Sequence, residues 1–382
     1  MYILIIARGY PTDKYKMNGI FEFDQAKALV QAGHKVIYAA IDVRSIRRWR
    51  KWGGESFEQD GVQVEAINIP GGRIPKTILR QIQMQGLKNL YKRIESKYGK
   101  PDIIHAHFLG YGNISTEVLA KQNIPIALTE HLSAMNNKAL EPSLITLGTE
   151  TYPNVDKLIT VSEALANNIE EKFEVKATVI PNMVDTESFN YINRRKENDD
   201  YVFVSTGGLI PRKSMDVLID SFNIAFKDKK KVKLYIFGEG AERSKLEQMI
   251  AEYKLTEQIF LMGLRDRKEI AKRMHESDCF VLVSKLETFG VAYIEALAAG
   301  LPVIATNCGG PEEFVHKDNG ILIEVDDAEA LTNSMLKMYN ESNKFDREKI
   351  SKEMVDKFSP EAIAKRLTET YRNVLKDRKV QL

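Results

Sequence analysis

Cysteine is scarce in this chain of 382 residues, which contains only Cys279 and Cys308. Two cysteines are too few for the disulfide framework that stabilises many secreted domains. Cys279 falls in a predicted core strand and Cys308 in a loop, without the spacing of metal ligands. We therefore expect two free thiols and no cysteine-based metal site.

Long apolar runs are also missing, and no segment approaches the length of about 20 residues that a transmembrane helix needs. Residues 1–7 lack the basic leader and the small-residue cleavage site of a signal peptide, and they are typical of a buried strand. These absences predict a cytoplasmic protein.

The net charge of +2 is nearly balanced, which argues against nucleic acid as a partner.

The charge is unevenly placed, because residues 44–52 mix arginines with the only two tryptophans. Such a mixture suits an anionic membrane surface, with rings at the interface and cations among the headgroups. Single-stranded nucleic acid would also stack on these rings, but nothing else resembles a nucleic-acid module. A second basic segment, 73–100, fits a solvated helix as well as a membrane. The predicted membrane contacts are Arg47, Arg48, Trp49, Arg50 and Trp52.

The chain is too long for one ordinary core, so two domains are expected. Strand and helix signals alternate throughout, which is typical of parallel sheets covered on both faces by helices. A helix over 20–32 ends at Gly33. The charged residues 191–200 form the predicted linker, so the domains are expected over 1–190 and 191–359. Strands are predicted at 2–7, 35–41, 102–107, 125–129, 157–161, 201–206, 233–237, 259–262, 279–283 and 302–306.

Two carboxylates, Glu287 and Glu295, flank a predicted helix start at Gly290. Backbone amides freed at a helix start, together with the positive end of the helix dipole, bind anions such as phosphate. Glu295 lies about a turn into the helix, where its carboxylate can accept hydrogen bonds from hydroxyl groups but repels phosphate. The arrangement suits a ligand with both a phosphate and a polyol, and a nucleotide sugar has both.

Several spaced elements resemble the E-x7-E region of the retaining glycosyltransferases of family 4. They are E-T-F-G at 287–290, a second Glu eight residues after the first, G-L-P-V-I-A-T at 300–306 and G-G-P-E-E at 309–313. A bare pair of glutamates would indicate only a solvated helix face. The resemblance extends over nearly the whole chain. It implies the α/β GT-B fold, in which two Rossmann-like parallel-sheet domains face each other across a cleft.

The resemblance assigns acceptor binding to the first domain and donor binding to the second, with a last helix, about 360–382, packed back on the first. Arg212 and Lys213 would stabilise the departing diphosphate. Gly208 stands where the family has an arginine, and Arg212 or backbone amides can compensate. Gly263 would hold the nucleotide base, with Leu264 beside it. The implied contacts around the helix start are Glu287, Thr288, Phe289, Gly290, Val291 and Glu295.

In the first domain, Gly19 resembles the family's glycine loop that approaches the donor phosphate. His107 and His131 end predicted strands; His131 matches the family's active-site histidine, and His107 is placed on the acceptor side. His105 is expected to be a buried structural histidine. The implied catalytic residues are Glu287, His131 and Lys213.

The function implied by the resemblance is retaining transfer of a hexose from a UDP- or GDP-sugar to a glycan or lipid-linked acceptor, in surface polysaccharide or glycolipid assembly. No cofactor is implied, and the chain has no Asp-x-Asp pair, so no metal is expected. Alternatives are a nucleotide-sugar epimerase or a phosphorylase of the same fold. A membrane-bound scaffold or nucleotide-sugar sensor is also open, because Gly208 replaces the arginine. A dehydrogenase is disfavoured because G-x-G-x-x-G is never completed.

Overall fold

The structure is a computed structural model that describes residues 1–46, 51–71, 74–193 and 199–381. It divides into two units. Unit 1 comprises Met1–Met183 and Pro360–Leu382, and unit 2 comprises Val184–Ser359. The chain therefore leaves unit 1 before the predicted linker begins. The middle of that linker, residues 194–198, lies outside the described residues.

Unit 1 contains a sheet of eight strands among the described residues. The strands are β1 (Tyr2–Ala7), β2 (Lys35–Ser45), β3 (Gly53–Gln59), β4 (Val62–Gly71), β5 (Ile103–His107), β6 (Ile126–Glu130), β7 (Lys157–Thr160) and β8 (Thr178–Val179). Their order is β3-β4-β2-β1-β5-β6-β7-β8. The sheet is parallel except at one edge, where β3 pairs antiparallel with β4. The alternation of exposed and half-buried residues in β3 marks it as an edge strand.

Five helices of unit 1 connect these strands: α1 (Ile20–Gln31), α2 (Lys76–Tyr98), α3 (Leu109–Leu119), α4 (Pro142–Thr151) and α5 (Glu163–Phe173). They cover a sheet whose central strands β1, β5 and β6 are buried, and in β1 the buried run YILIIA is apolar throughout. Strands buried on both faces are characteristic of a parallel sheet between helical layers.

In the part of unit 2 that the structure describes, six parallel strands form a sheet in the order β11-β10-β9-β12-β13-β14. Its strands are β9 (Tyr201–Thr206), β10 (Val232–Phe237), β11 (Ile259–Gly263), β12 (Cys279–Val281), β13 (Val303–Thr306) and β14 (Gly320–Ile323). Its helices are α6 (Met215–Phe226), α7 (Arg243–Glu252), α8 (Arg267–His275), α9 (Val291–Ala298), α10 (Ala328–Glu341) and α11 (Arg347–Phe358). Cys279 and Cys308 are buried free cysteines, and β12 is shorter than the run 279–283 predicted.

The last helix, α12 (Pro360–Gln381), belongs to unit 1 although it follows unit 2 in the chain. Its apolar face buries Ile363, Leu367 and Tyr371 in one cluster with Phe23 of α1. The hydroxyl of Tyr371 also lies 2.6 Å from Nδ1 of the buried His105. The helix thus completes the core of unit 1.

Candidate active site

The loop before α9 places the two glutamates singled out in the sequence. Gly290 caps the helix with φ +96°, a conformation that residues with a side chain rarely adopt. Phe289 is buried, and its ring lies against Phe314 and Phe358 with centroids 5.3 and 5.6 Å away. Phe289 therefore anchors the turn in the core instead of facing a ligand with its side chain.

Glu287 is held in place by three groups. Its carboxylate contacts the ammonium of Lys213 and accepts a 2.7 Å hydrogen bond from Oγ of Ser284. Its backbone N–H donates to the carbonyl of Cys308 at 3.0 Å. The side chains of Glu287 and Lys213 are only 12% and 14% exposed, so this ion pair is weakly screened by water. The contacts of Glu287 with Ser284 and with the backbone of Cys308 were not predicted from the sequence.

Glu295 lies in the second turn of α9, and its Oε1 is 3.9 Å from Nε of Arg267. Arg267 begins α8, and the sequence analysis missed it. The pairing is non-local, because α8 and α9 are separated by β12. One signal in the sequence could have found Arg267. Its helix α8 follows the carboxyl end of β11, and the loop before α9 lies at the same edge of the sheet.

The 3₁₀ turn Pro211–Lys213 carries both predicted phosphate-binding cations just before α6. Arg212 and Lys213 are partly buried, and the carbonyl of Arg212 accepts a 2.8 Å hydrogen bond from the backbone of Lys285. This bond ties the turn to the loop of Glu287. The structure therefore brings the predicted residues Arg212, Lys213 and Glu287 together within unit 2.

Two glycine loops meet at the carboxyl ends of β9 and β10. A Cβ on Gly238 would lie 1.9 Å from the carbonyl oxygen of Gly207, and a Cβ on Gly240 would lie 2.1 Å from that of Leu209. These two positions need glycine because two backbones touch there. Gly208 differs, because a Cβ there would have its nearest neighbour, the carbonyl of Glu239, at 3.8 Å. The site therefore has room for the side chain that Gly208 lacks.

Gly263 ends β11 with φ +71°, and its carbonyl accepts a 3.0 Å hydrogen bond from Gly238. The next residue, Leu264, is 71% exposed. Nearby, the carboxylate of Glu239 pairs with Arg243 at 2.6 Å. This edge of unit 2 therefore combines an open apolar side chain with a charged pair.

Three histidines of unit 1 lie together on β5 and just after β6. His105 is fully buried, with Nε2 2.7 Å from Oγ1 of Thr129 and Nδ1 bonded to Tyr371, so it is the structural histidine expected from the sequence. Nδ1 of His107 lies 3.1 Å from Nε2 of His131. Burial lowers the pKa of His105 to about 3, and it lowers the pKa of His107 and His131 as well. The rings are therefore neutral hydrogen-bonding groups at pH 7.

Glu130, the last residue of β6, is a buried carboxylate that the sequence analysis passed over. It accepts hydrogen bonds from the backbone N–H groups of Leu109, His131 and Leu132 at 3.1, 2.8 and 2.8 Å, and from the hydroxyl of Tyr152 at 2.9 Å. Burial raises the pKa of this carboxyl, and the four donors oppose that rise. Glu130 thereby fixes the backbone that carries His131.

Arg8, directly after β1, is a further residue that the sequence analysis missed. Its guanidinium lies 4.3 Å from the ring centroid of Phe108, which in turn lies 4.9 Å from the His131 ring. Its Nε lies 3.4 Å from the carboxylate of the buried Glu22. Arg8 is 44% exposed. Arg8 therefore places a positive charge beside the histidines, and its guanidinium also contacts the carboxylate of Glu22.

Gly19 caps α1 with φ +67°, and a Cβ there would lie 2.3 Å from the carbonyl of Gly9. The hydroxyl of Tyr38 donates to the same carbonyl at 2.7 Å. Close backbone contact thus requires glycine here, and the structure places Gly19 in the loop between β1 and α1.

The predicted membrane contacts Arg47, Arg48, Trp49 and Arg50 lie outside the described residues, and Trp52 is half-buried. Three cations of the second basic segment pair with carboxylates of unit 1: Arg80 contacts Glu117, while Arg93 and Lys97 lie 2.9 and 3.1 Å from Glu65. Of the helices in the described ranges, none combines the length and the apolar character needed to cross a bilayer.

The chain resembles known proteins along nearly its whole length. Residues 23–188 match the family model described as Glycosyltransferase Family 4, and residues 189–357 match the one described as Glycosyl transferases group 1. An uncharacterized glycosyltransferase from Methanocaldococcus jannaschii is 30% identical over 63% of this chain and 66% of its own length. The alpha-monoglucosyldiacylglycerol synthase of Acholeplasma laidlawii is 25% identical over 65% of this chain and 69% of its own. The aligned segments thus span about two thirds of these relatives.

Solved structures share the fold. The sucrose-phosphate synthase of Thermosynechococcus elongatus has a TM-score of 0.81 at 21% identity, over 99% of this chain and 100% of its own. Anabaena HepE, crystallised with UDP-glucose, has a TM-score of 0.72 at 18% identity, over 98% of this chain and 100% of its own. The chain therefore has the GT-B fold of two Rossmann-like domains, and with its two matched domains it belongs to the family 4 glycosyltransferases.

Proposed function

We propose that this glycosyltransferase moves a hexose from a nucleotide diphosphate sugar to a glycan or lipid-linked acceptor, with retention of configuration and without a metal ion. One observation carries the proposal: Glu287 is held between Lys213 and Ser284 directly before α9, and Glu295 is paired with Arg267 on the next helical turn. The site offers cations for phosphate and carboxylates for sugar hydroxyls at one edge of unit 2.

The proposed reaction breaks the bond between the anomeric carbon and the diphosphate oxygen and forms a bond from that carbon to the acceptor oxygen on the same face. The proton of the acceptor hydroxyl passes to the departing diphosphate. Lys213 and Arg212 stabilise the negative charge that develops on this diphosphate. Because Lys213 is already paired with Glu287, the donor phosphate must share the ammonium with that carboxylate.

The remaining roles follow from charge and position. Glu287 orients the donor sugar, Glu295 accepts hydrogen bonds from the ribose, and Leu264 with Gly263 borders the base. The neutral ring of His131 can donate or accept a hydrogen bond near the transferred sugar without adding charge. UDP-glucose is the first donor to test, because a protein of the same fold, Anabaena HepE, was crystallised with it.

Thermal denaturation with UDP-, GDP- and ADP-sugars tests the donor, because a ligand that binds only the folded state raises the unfolding temperature. We expect one donor class to stabilise the protein and Glu295→Ala to abolish that shift. Glu329→Ala, an exposed glutamate of α10, is the control. If Glu295→Ala keeps the full shift, the assignment of Glu295 is wrong.

Nuclear magnetic resonance of the product tests the stereochemistry, since a retaining enzyme gives the same anomeric configuration as the donor. Activity that persists in EDTA supports metal independence, and loss of activity restored by a divalent ion contradicts it.

The second candidate is a protein that binds a nucleotide sugar without transferring it. The glycine at position 208 favours this candidate, because a phosphate-binding cation is missing there. Slow donor hydrolysis with no transfer to any acceptor would support it.

We further propose that the protein works in the cytoplasm, peripherally on the inner face of the cell membrane, in surface polysaccharide or glycolipid assembly. The support is the arginine- and tryptophan-rich sequence 44–52. Trp49→Ala with Trp52→Ala should reduce sedimentation with anionic vesicles and leave donor binding unchanged. Equal sedimentation of the variant and the parent protein would contradict the membrane contact.

A further inference from the structure

Unit 1 contains a cavity of about 630 Å³ that the roles assigned above leave unused. It lies between the loop that follows β1 and the edge strand β3. Cations and aromatic rings dominate its lining, which includes Tyr10, Lys14, Tyr15, Lys16, Lys51 and Phe57.

Two of its lysines are available for a ligand. Lys14 and Lys51 are exposed, and within the described part of the chain neither has a carboxylate at ion-pair distance. The ammonium of Lys14 lies 5.6 Å from the ring centroid of Tyr15. A third cation contacts the Tyr15 ring, because the guanidinium carbon of Arg44 lies 4.4 Å from the ring centroid. The positive potential is therefore concentrated around Tyr15.

Arg44 is nearly buried beside the cavity, with a side chain that is only 9% exposed. Its Nε is paired with Asp42 at 2.8 Å, whereas its Nη1 is buried and has no hydrogen-bond partner among the residues that the structure describes. One carboxylate thus faces a guanidinium that is not fully hydrogen-bonded. An anion that reached Nη1 from the neighbouring cavity would supply the hydrogen-bond acceptor that this buried donor lacks.

The rest of the lining suits a sugar. The carboxylate of Glu55 is fixed by the hydroxyl of Tyr10 and the amide of Asn68, each at 2.5 Å, so its remaining lone pairs can accept hydrogen bonds from ligand hydroxyls. The Tyr10 ring packs against Phe57 at 5.2 Å and forms an apolar wall. Asp13 adds a second acceptor.

We propose that this cavity binds a phosphate-bearing sugar of the acceptor, with Lys14 and Lys51 on the phosphate and Glu55 on the hydroxyls. The inference deepens the proposed function and rests on it, since it gives the acceptor's chemical class. Two sources share this chemistry: a soluble sugar phosphate, and a sugar linked to a lipid through a diphosphate.

The test measures binding by isothermal titration calorimetry, which needs no reporter group in the cavity. With UDP saturating the donor site, the protein is titrated with glucose 6-phosphate, glucose and inorganic phosphate. We expect glucose 6-phosphate to bind most tightly. The double variant Lys14→Gln/Lys51→Gln should weaken its binding at least about tenfold, because charge-assisted hydrogen bonds to phosphate are lost.

Lys121→Gln is the matched control, because Lys121 is an exposed lysine of unit 1 that precedes β6, in the half of the sheet away from β3. Stabilisation by the donor should be equal in all three proteins, which shows that the variants fold. Equal affinity for glucose and glucose 6-phosphate, or an unchanged double variant, overturns the inference. Inorganic phosphate that binds as tightly as glucose 6-phosphate overturns the sugar part.

Transfer assays with a soluble sugar phosphate and with a lipid diphosphate sugar in detergent identify the source. Loss of either transfer in the double variant, with the control active, supports the inference. Failure of any donor to stabilise the protein would instead refute the proposed function. Donor stabilisation without binding of glucose 6-phosphate would refute only the acceptor cavity.

Discussion

The two units differ in the charge of the groups at the centre of each candidate site. In unit 2 the central groups are ion pairs, Lys213 with Glu287 and Arg267 with Glu295. In unit 1 the central groups are neutral imidazoles whose pKa values burial lowers. Ion pairs can exchange partners with a charged ligand, whereas neutral rings can orient hydroxyl groups without attracting phosphate. The difference fits a division of labour between a charged donor and a reacting hydroxyl.

The units also differ in how their sites are built. Glu287 and Glu295 are eight residues apart in one loop and helix. Arg8, Glu22, Phe108 and His131 come from four separate parts of unit 1 and meet only in the folded sheet. Substitutions in unit 2 should therefore act through local backbone and charge, and those in unit 1 through burial.

The largest expected effect comes from Gly238→Ala in unit 2. The added methyl group would lie 1.9 Å from the carbonyl of Gly207, at a φ of +145°. We expect the free energy of unfolding of unit 2 to fall by at least about 4 kcal/mol, with loss of donor binding. Gly110→Ala in helix α3 is the control, because no atom lies within 4 Å of its Cβ. Urea unfolding checks both variants, and a stable Gly238→Ala protein would contradict the close contact.

The next effect is on turnover. Glu287→Gln keeps the shape of the side chain but removes the charge that faces Lys213 and orients the sugar. We expect kcat to fall about a hundredfold, the scale of losing one preorganised electrostatic contact. Stabilisation by the donor should change little. Glu329→Gln serves as the control, and a kcat within twofold of the parent protein would refute a catalytic role for Glu287.

The burial of His105 should make the free energy of unfolding of unit 1 depend on pH. The unfolded chain protonates His105 near its usual pKa of about 6.5, whereas the folded protein does so only near about 3. The unfolded state therefore binds more protons between these values, and stability falls as pH falls from 7 to 5. We expect this histidine to contribute about 2 kcal/mol to that loss.

His105→Asn should remove this share of the pH dependence, although it also lowers stability at pH 7. The measurement is the unfolding free energy of unit 1 at pH 7 and pH 5 in both proteins. Glu22 and Glu130, whose pKa values burial raises, are present in both and cancel in the comparison. An identical pH dependence would show that His105 titrates normally in the folded protein.

The smallest expected effect is a gain. Gly208→Arg restores the arginine that family 4 enzymes have, at a position where a Cβ would find its nearest atom 3.8 Å away. One additional phosphate contact should tighten donor binding about tenfold. Gly208→Gln, which adds length without charge, is the control. If both variants bind the donor like the parent protein, the loop does not approach the diphosphate.

Sequence alone was sufficient for the strongly patterned parts of this protein. Apolar runs predicted β1 and β9 at their observed bounds, because a strand buried on both faces needs a continuous apolar sequence. The loop and helix carrying Glu287 and Glu295 were predicted as well, since their geometry depends on neighbouring residues and on Gly290. Four strands were missed. Polar residues interrupt the sequences of β3 and β4, and β8 and β14 are only two and four residues long.

Only the tertiary structure brought together the residues that no local pattern connects. Arg267 and Glu295 form an ion pair between different helices, and Arg8 contacts the ring of Phe108, which follows a different strand. Glu130 accepts hydrogen bonds from the backbone amides of Leu109 and His131. The open space at Gly208 and the forbidden space at Gly238 are likewise set by neighbouring backbone. The physical reason is that pairing and packing distances depend on how strands are ordered in the sheet. That order is a property of the whole fold.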